Sequence, residues 1–226
     1  MNTLSNVQKI EALRALTYTR RCDPIGSNQF KQPEDFYPFD NRPDKLEWMV
    51  SPWTLAAHNV NSSLMIVGQD WASDTWLSAC PEHVLLEGRD IRLPTNKRLD
   101  YFLLHSFGMR FDECYATNLF PFIKTGAMST PIKSKHYMHT AEKYLIPQIK
   151  IVQPSLVICL GSAVFANLLR VAGQKVPRFS EAINMELKIH GSLIRAVYHP
   201  GGHGTRNAGG EQKAFSAWLA AQSAIQ

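Results

Sequence analysis

A carboxylate, a carboxamide and an imidazole each follow a short apolar run in this chain: Asp70, Asn118 and His199. The first run is the most distinctive. From Leu64 to Trp71 it reads Leu-Met-Ile-Val-Gly-Gln-Asp-Trp. Four apolar residues with β-branched Ile66 and Val67 among them suit a strand buried on both faces. Gly68 ends the run, and glycine lets backbone turn or approach a ligand closely. In open α/β sheets, ligands sit in the crevice beyond the carboxyl ends of the strands. An acid there is a candidate for chemistry; the competing reading makes Asp70 the N-cap of a following helix.

The other two residues have comparable settings. Cys114–Thr117 reads as a short strand that delivers Asn118 at its carboxyl end. Leu193–Tyr198 reads as the strand that ends in His199-Pro200-Gly201-Gly202-His203-Gly204. One polar residue after a strand is common, but three chemically different ones at equivalent ends resemble an active site.

The remaining elements must hold those ends on one rim. Asn2–Arg20 has Leu4, Val7, Ile10, Leu13 and Leu16 at spacings of three, which predicts an amphipathic helix. Arg21–Pro43 reads as an ordered loop whose Phe30, Phe36, Tyr37 and Phe39 need packing partners. Pro43 is expected to open a short helix through Leu46, Trp48, Met49 and Trp53, interrupted by Pro52. Ala72–Leu93 has no legible pattern. Thr95 is expected to cap a helix to about Phe107, with Leu99, Phe102 and Leu103 facing inward. Lys135–Ile151 reads as a helix stopped by Pro154, Ser155–Leu160 as a third buried strand, and Ala163–Val171 as the helix after it. Met185–Ile189 and Leu193–Tyr198 form a predicted hairpin, and Glu211–Ile225 a closing helix. Strands alternating with helices predict a three-layer α/β/α sandwich around a four-stranded parallel sheet. The 226 residues are expected to form a single domain, with 1–60 as helices and a loop packed on it.

Composition narrows the function classes. Cys22, Cys80, Cys114 and Cys159 are scattered, which argues against a zinc ribbon, a redox C-x-x-C pair or a disulfide framework. His105, His136, His139 and His190 show no metal-ligand spacing and read as surface or structural. Trp48, Trp53 and Trp218 read as core. The longest apolar-rich stretch, Leu156–Leu169, is too short for a bilayer and carries a glycine, a serine and an asparagine. The first residues lack an apolar signal core, so a cytoplasmic monomer is the expectation. Charge is uneven: residues 1–119 hold 12 Lys+Arg against 15 Asp+Glu, and residues 120–226 hold 12 against 4. That asymmetry fits an anionic partner such as nucleic acid. The run Ser129-Thr130-Pro131-Ile132-Lys133-Ser134-Lys135 suits phosphate contacts, although a plain surface loop has the same look.

Four segments, in order, resemble the uracil-DNA glycosylase superfamily. Val67-Gly68-Gln69-Asp70 is similar to the first motif of the family-1 enzymes, and Tyr115-Ala116-Thr117-Asn118 to the asparagine-bearing strand. Leu156–Ser162 is similar to the third strand and its turn, and Val197-Tyr198-His199-Pro200 to the start of the His-Pro-Ser motif. The resemblance covers roughly residues 60–220. It implies hydrolysis of the bond between uracil and deoxyribose in DNA, with the base flipped out of the stack. Under it, Asp70 positions or deprotonates water, and Asn118 reads the base edge with one amide donor and one acceptor. His199 stabilises the departing anion. Gln69 and Trp71 join the base pocket; Ser129, Lys133, Lys135, Gly201, His203 and Arg206 contact DNA. The glycines after Pro200 form a loop toward the duplex.

The sequence also departs from the pattern. Gly201 stands where the family has the serine, so one phosphate contact is missing, and Trp71 replaces the usual proline. Around Pro94-Thr95 there is no phenylalanine to stack on the base. The cysteine spacing of the iron–sulfur branches is absent, and neither cofactor nor metal is expected. A second class of protein therefore stays open: a glycosylase fold that binds nucleic acid or a nucleobase without turnover.

Overall fold

The structure is a computed structural model that describes residues 4–36 and 47–223. Its centre is a five-stranded sheet in the order β2-β1-β3-β5-β4, formed by β1 (Leu64–Asp70), β2 (Tyr115–Phe120), β3 (Leu156–Leu160), β4 (Leu187–Ile189) and β5 (Ser192–Val197). β2, β1, β3 and β5 are mutually parallel and form the expected four-stranded unit. β4 adds a fifth, antiparallel edge strand. It is the first arm of the predicted hairpin. Its turn is made by His190 and Gly191, with φ of 50° and 90°, the left-handed pair that a two-residue hairpin turn requires.

The strand residues alternate between two cores, as a pleat demands. Met65, Val67, Val157, Cys159, Ile194 and Ala196 point to one face, where Leu13, Tyr144, Leu145, Ile149, Phe165 and Leu168 cover them. Leu64, Ile66, Ile158, Leu160, Leu193 and Val197 point to the other, under Leu99, Phe102, Leu103 and Trp218. Helices lie on both sides, which makes the three-layer sandwich. Full burial of each valine, leucine, isoleucine, phenylalanine or methionine among them is worth about 1.5–3 kcal/mol. The rings of Phe102 and Trp218, 5.6 Å apart, join the helix Pro94–Phe107 to the closing helix Glu211–Ser223.

Several boundaries differ from the sequence expectation. The first helix spans Asn6–Arg21, capped by Ser5. The helix expected from Pro43 is absent from residues 47–51, and a single 3-10 turn covers Pro52–Leu55; its proposed start lies outside the described residues. Thr95 is not an N-cap. Pro94 occupies the first turn and Leu93 the cap position, without a side-chain bond, because proline suits the first helical position where no N–H is needed. The illegible stretch holds two short helices, Asp74–Leu77 and Glu82–Glu87. The helix expected over Lys135–Ile151 is broken into Ser134–Thr140, a π-helical turn Ala141–Leu145, and Ile146–Val152. It ends at Gln153 in left-handed conformation, φ 57°, just before Pro154. Trp48, Trp53 and Trp218 are all buried.

Candidate functional site

A cleft of about 640 Å³ opens at the carboxyl ends of the parallel strands, and Asp70, Asn118 and His199 all line it. Each reaches it differently. Asp70 is the last residue of β1 and His199 follows the end of β5 by two positions. Asn118 sits inside β2 rather than past its end, because β2 runs on through Leu119 and Phe120 into the core.

Asn118 is held at close quarters. It pairs in register with Gly68, is almost fully buried, and accepts a hydrogen bond from the Ser51 hydroxyl at 2.6 Å. A Cβ on Gly68 would lie 2.8 Å from Asn118 Nδ2 and 3.1 Å from Trp53 Cζ3. Gly68 is therefore glycine because an amide and an indole crowd the same side of β1. Trp53, expected to be core alone, is both core and cleft wall. Ser51 and Trp53 are the site residues that sequence reading missed. They precede β1, at the start of the 3-10 turn Pro52–Leu55, and no spacing ties them to Asn118.

Asp70 does not cap a helix. Ser73 does so for Asp74–Leu77, its hydroxyl accepting from Trp76 N–H at 3.4 Å. The Asp70 carboxylate instead accepts from Lys124 Nζ through Oδ2. Side-chain exposure is 6% for Lys124 and 13% for Asp70. Lys124 is a further residue that sequence reading missed, since no motif or spacing marks it.

His199 is oriented by its own turn. Gly201 N–H donates to Nδ1 at 2.9 Å, so the neutral ring carries its hydrogen on Nε2. Burial lowers the imidazole pKa, and the negative charge of Asp70 opposes the shift. The turn is tight: a Cβ on Gly201 would fall 2.9 Å from His199 Nδ1, and one on Gly204 would fall 2.0 Å from His199 O. Arg98 ties it down, donating to Pro200 O at 2.6 Å and to Glu211 at 2.7 Å.

Of the other expected site residues, Gln69, Trp71, Gly201 and His203 line the same cleft. Gln69 donates through Nε2 to Tyr137 OH at 2.6 Å, which engages its amide nitrogen within the protein. Burial, with the Asp70 charge adding to it, raises the Tyr137 pKa. Trp71 follows the end of β1 yet reaches apolar packing as well as the cleft. It packs against two buried clusters and lies edge-on to Trp76, centroids 6.4 Å apart. The glycine-rich stretch after Pro200 is not a loop but a short helix, Gly202–Ala208, with Arg206 exposed on it. Ser129, Lys133 and Lys135 are exposed and outside the cleft wall. Among the described residues no three His, Cys, Asp or Glu side chains are grouped to hold a metal ion, and no helix is long and apolar enough to cross a membrane.

The family model for the uracil DNA glycosylase superfamily matches residues 56–221, most of the chain. The chain belongs to that superfamily. No individually curated protein matches it. The superfamily span includes Asp70, Asn118, Lys124 and His199 and begins after Ser51 and Trp53, so the hydroxyl bonded to Asn118 and one aromatic wall of the cleft come from outside the matched region.

Proposed function

We propose that the protein is a DNA glycosylase that hydrolyses the N-glycosidic bond of uracil, or of a related deaminated base, in DNA. The observation that carries this reading is the opening of Asp70, Asn118 and His199 onto one cleft, within a superfamily whose members act on DNA.

In this reading the base leaves the stack and enters the cleft, where its edge is read. Asn118 Nδ2 donates to uracil O4. Its Oδ1, which already accepts from Ser51, uses its second lone pair for N3–H. As the bond from C1′ to N1 breaks, its electron pair goes to the base and negative charge spreads onto O2. The Nε2–H of neutral His199 donates there, as an oxyanion donor does. Water attacks C1′ and gives its proton to the Asp70 carboxylate, which also orients the water and offsets the positive charge on the sugar. The proton then passes to N1 of the uracil anion, leaving neutral uracil and an abasic deoxyribose. Trp53 and Trp71, on either side of Gly68 in the chain, are aromatic walls available to the base, with Trp76, Phe179 and Tyr198 also on the cleft lining. His203 and Arg206, with Ser129, Lys133 and Lys135 on a second exposed segment, supply phosphate contacts.

The test is incubation of the purified protein with uracil-containing single- and double-stranded oligonucleotides in EDTA, followed by alkaline cleavage of abasic sites. Strand scission at uracil is the expected result. No scission on either substrate, with retained DNA binding, would leave a nucleic-acid binder.

A further inference from the structure

Among the described residues, the carboxylate of Asp70 has one hydrogen-bond donor, Lys124 Nζ, at Oδ2. Oδ1 has none. Lys124 lies four residues beyond Phe120, the β2 partner of Asp70 across the β1–β2 ladder. It is 5% exposed and fixed at both ends. Its backbone O accepts from Asp74 N–H at 2.9 Å, and Ile123 exchanges two bonds of 2.9 Å with Lys31. Its ammonium also donates to Met128 O at 2.5 Å. Surface ion pairs are loose and weak, but this one is enclosed and its cation is committed on two sides. Desolvating a lysine is costly, and an apolar residue would fill the same space without that cost.

We infer that Lys124 is a positioning residue for Asp70: by occupying Oδ2 it turns Oδ1 toward the cleft and the attacking water. The inference rests on the glycosylase reading above. It adds that the ammonium, not the strand end alone, sets where the carboxylate meets water. Lys124 itself does not line the cleft, so it acts through Asp70 and touches no substrate. A near-attack arrangement is sensitive to displacements of about 1 Å, which makes a rotated carboxylate visible in the chemical step and silent in binding.

The experiment is a double-mutant cycle on the full chain, with a single-stranded uracil oligonucleotide as substrate. Lys124→Met should lower kcat by about tenfold or more while KM stays within about twofold. Lys124→Arg, which keeps a cationic donor, should recover a substantial part of that loss. In an Asp70→Asn background, the further change Lys124→Met should cost less than about twofold, because its effect passes through the carboxylate. An equal penalty in both backgrounds, or wild-type kcat in Lys124→Met, overturns the inference. Should Lys124→Met melt below the assay temperature, Lys124→Gln takes its place in the same cycle, with the same criteria. Failure of the glycosylase reading looks different: wild-type protein then releases no uracil at all.

Discussion

The N–H of Gly201 donates to Nδ1 of His199 at 2.9 Å, and this bond decides which ring nitrogen offers a hydrogen to the cleft. A Cβ at position 201 would sit 2.9 Å from that same nitrogen and 3.2 Å from Cε1. The glycine that replaces the family's serine is thus matched to the ring beside it.

Gly201→Ser should accordingly damage the site rather than restore a phosphate contact. The added Cβ must push the imidazole or open the turn held by Arg98. Single-turnover uracil release should fall by about an order of magnitude or more. A rate at or above wild type would show that the turn has room for the serine.

The same ring gives a pH dependence with a defined sign. Burial lowers the His199 pKa in the folded chain, whereas the unfolded chain has an ordinary value of about 6.5. As pH falls below about 6.5 the unfolded state gains its proton first, so stability present above that pH is lost down to the folded pKa. His136 is shifted the same way, so the test is a difference. His199→Gln should lose less stability than wild type on acidification from about pH 7 to about pH 5, read by denaturant midpoints. Parallel curves would remove His199 from the account. Catalysis should hold over most of that range and decline only lower, as pH falls through the folded pKa, because only then does a protonated Nδ1 stop accepting from Gly201.

The parts of this architecture that follow local rules were legible in the sequence. Ile66, Val67 and Ile158 announce strands buried on both faces, and Leu99, Phe102 and Leu103 mark an inward helix face; both hold in the structure. What escaped depends on interactions between distant segments. Nothing near Ser51 signals Asn118, and nothing near Lys124 signals Asp70, since those partners, 67 and 54 residues apart, meet only in the folded chain. Glycines misled in the other direction. Gly202 and Gly204 suggested a loop, yet they lie in a helix; Gly204 is glycine for another reason, since a Cβ there would fall 2.0 Å from the His199 carbonyl oxygen.

Phosphate binding by the exposed cations should show in the salt dependence of DNA affinity. Lys133, Lys135 and Arg206 are all exposed and lie in the basic part of the chain. Replacing one of them by alanine should reduce the slope of log K against log salt by about one unit, because one fewer phosphate is neutralised. An unchanged slope for Lys133→Ala and Lys135→Ala would place the footprint elsewhere, and for Arg206→Ala would leave the helix after Pro200 off the backbone.

Trp71 supports the cleft wall from both sides, and its variants should separate packing from base stacking. Its ring is partly buried between two apolar clusters and edge-on to Trp76, yet its indole N–H is buried without a hydrogen-bond partner. An unpaired buried donor costs about 1–3 kcal/mol. Trp71→Phe removes that donor while keeping an aromatic face, so its melting temperature should equal or exceed that of wild type, and uracil release should be largely kept. Trp71→Ala removes the wall. Full burial of a tryptophan would put the loss at about 3–5 kcal/mol; the partial burial here places it toward the lower end, several degrees in melting temperature. If the ring also stacks on the flipped base, Trp71→Ala should weaken binding to a uracil oligonucleotide by a further ~1–3 kcal/mol relative to a thymine control, and Trp71→Phe should not. Equal weakening toward both oligonucleotides would assign Trp71 to packing alone, and pass the stacking role to another aromatic of the cleft lining, such as Trp53.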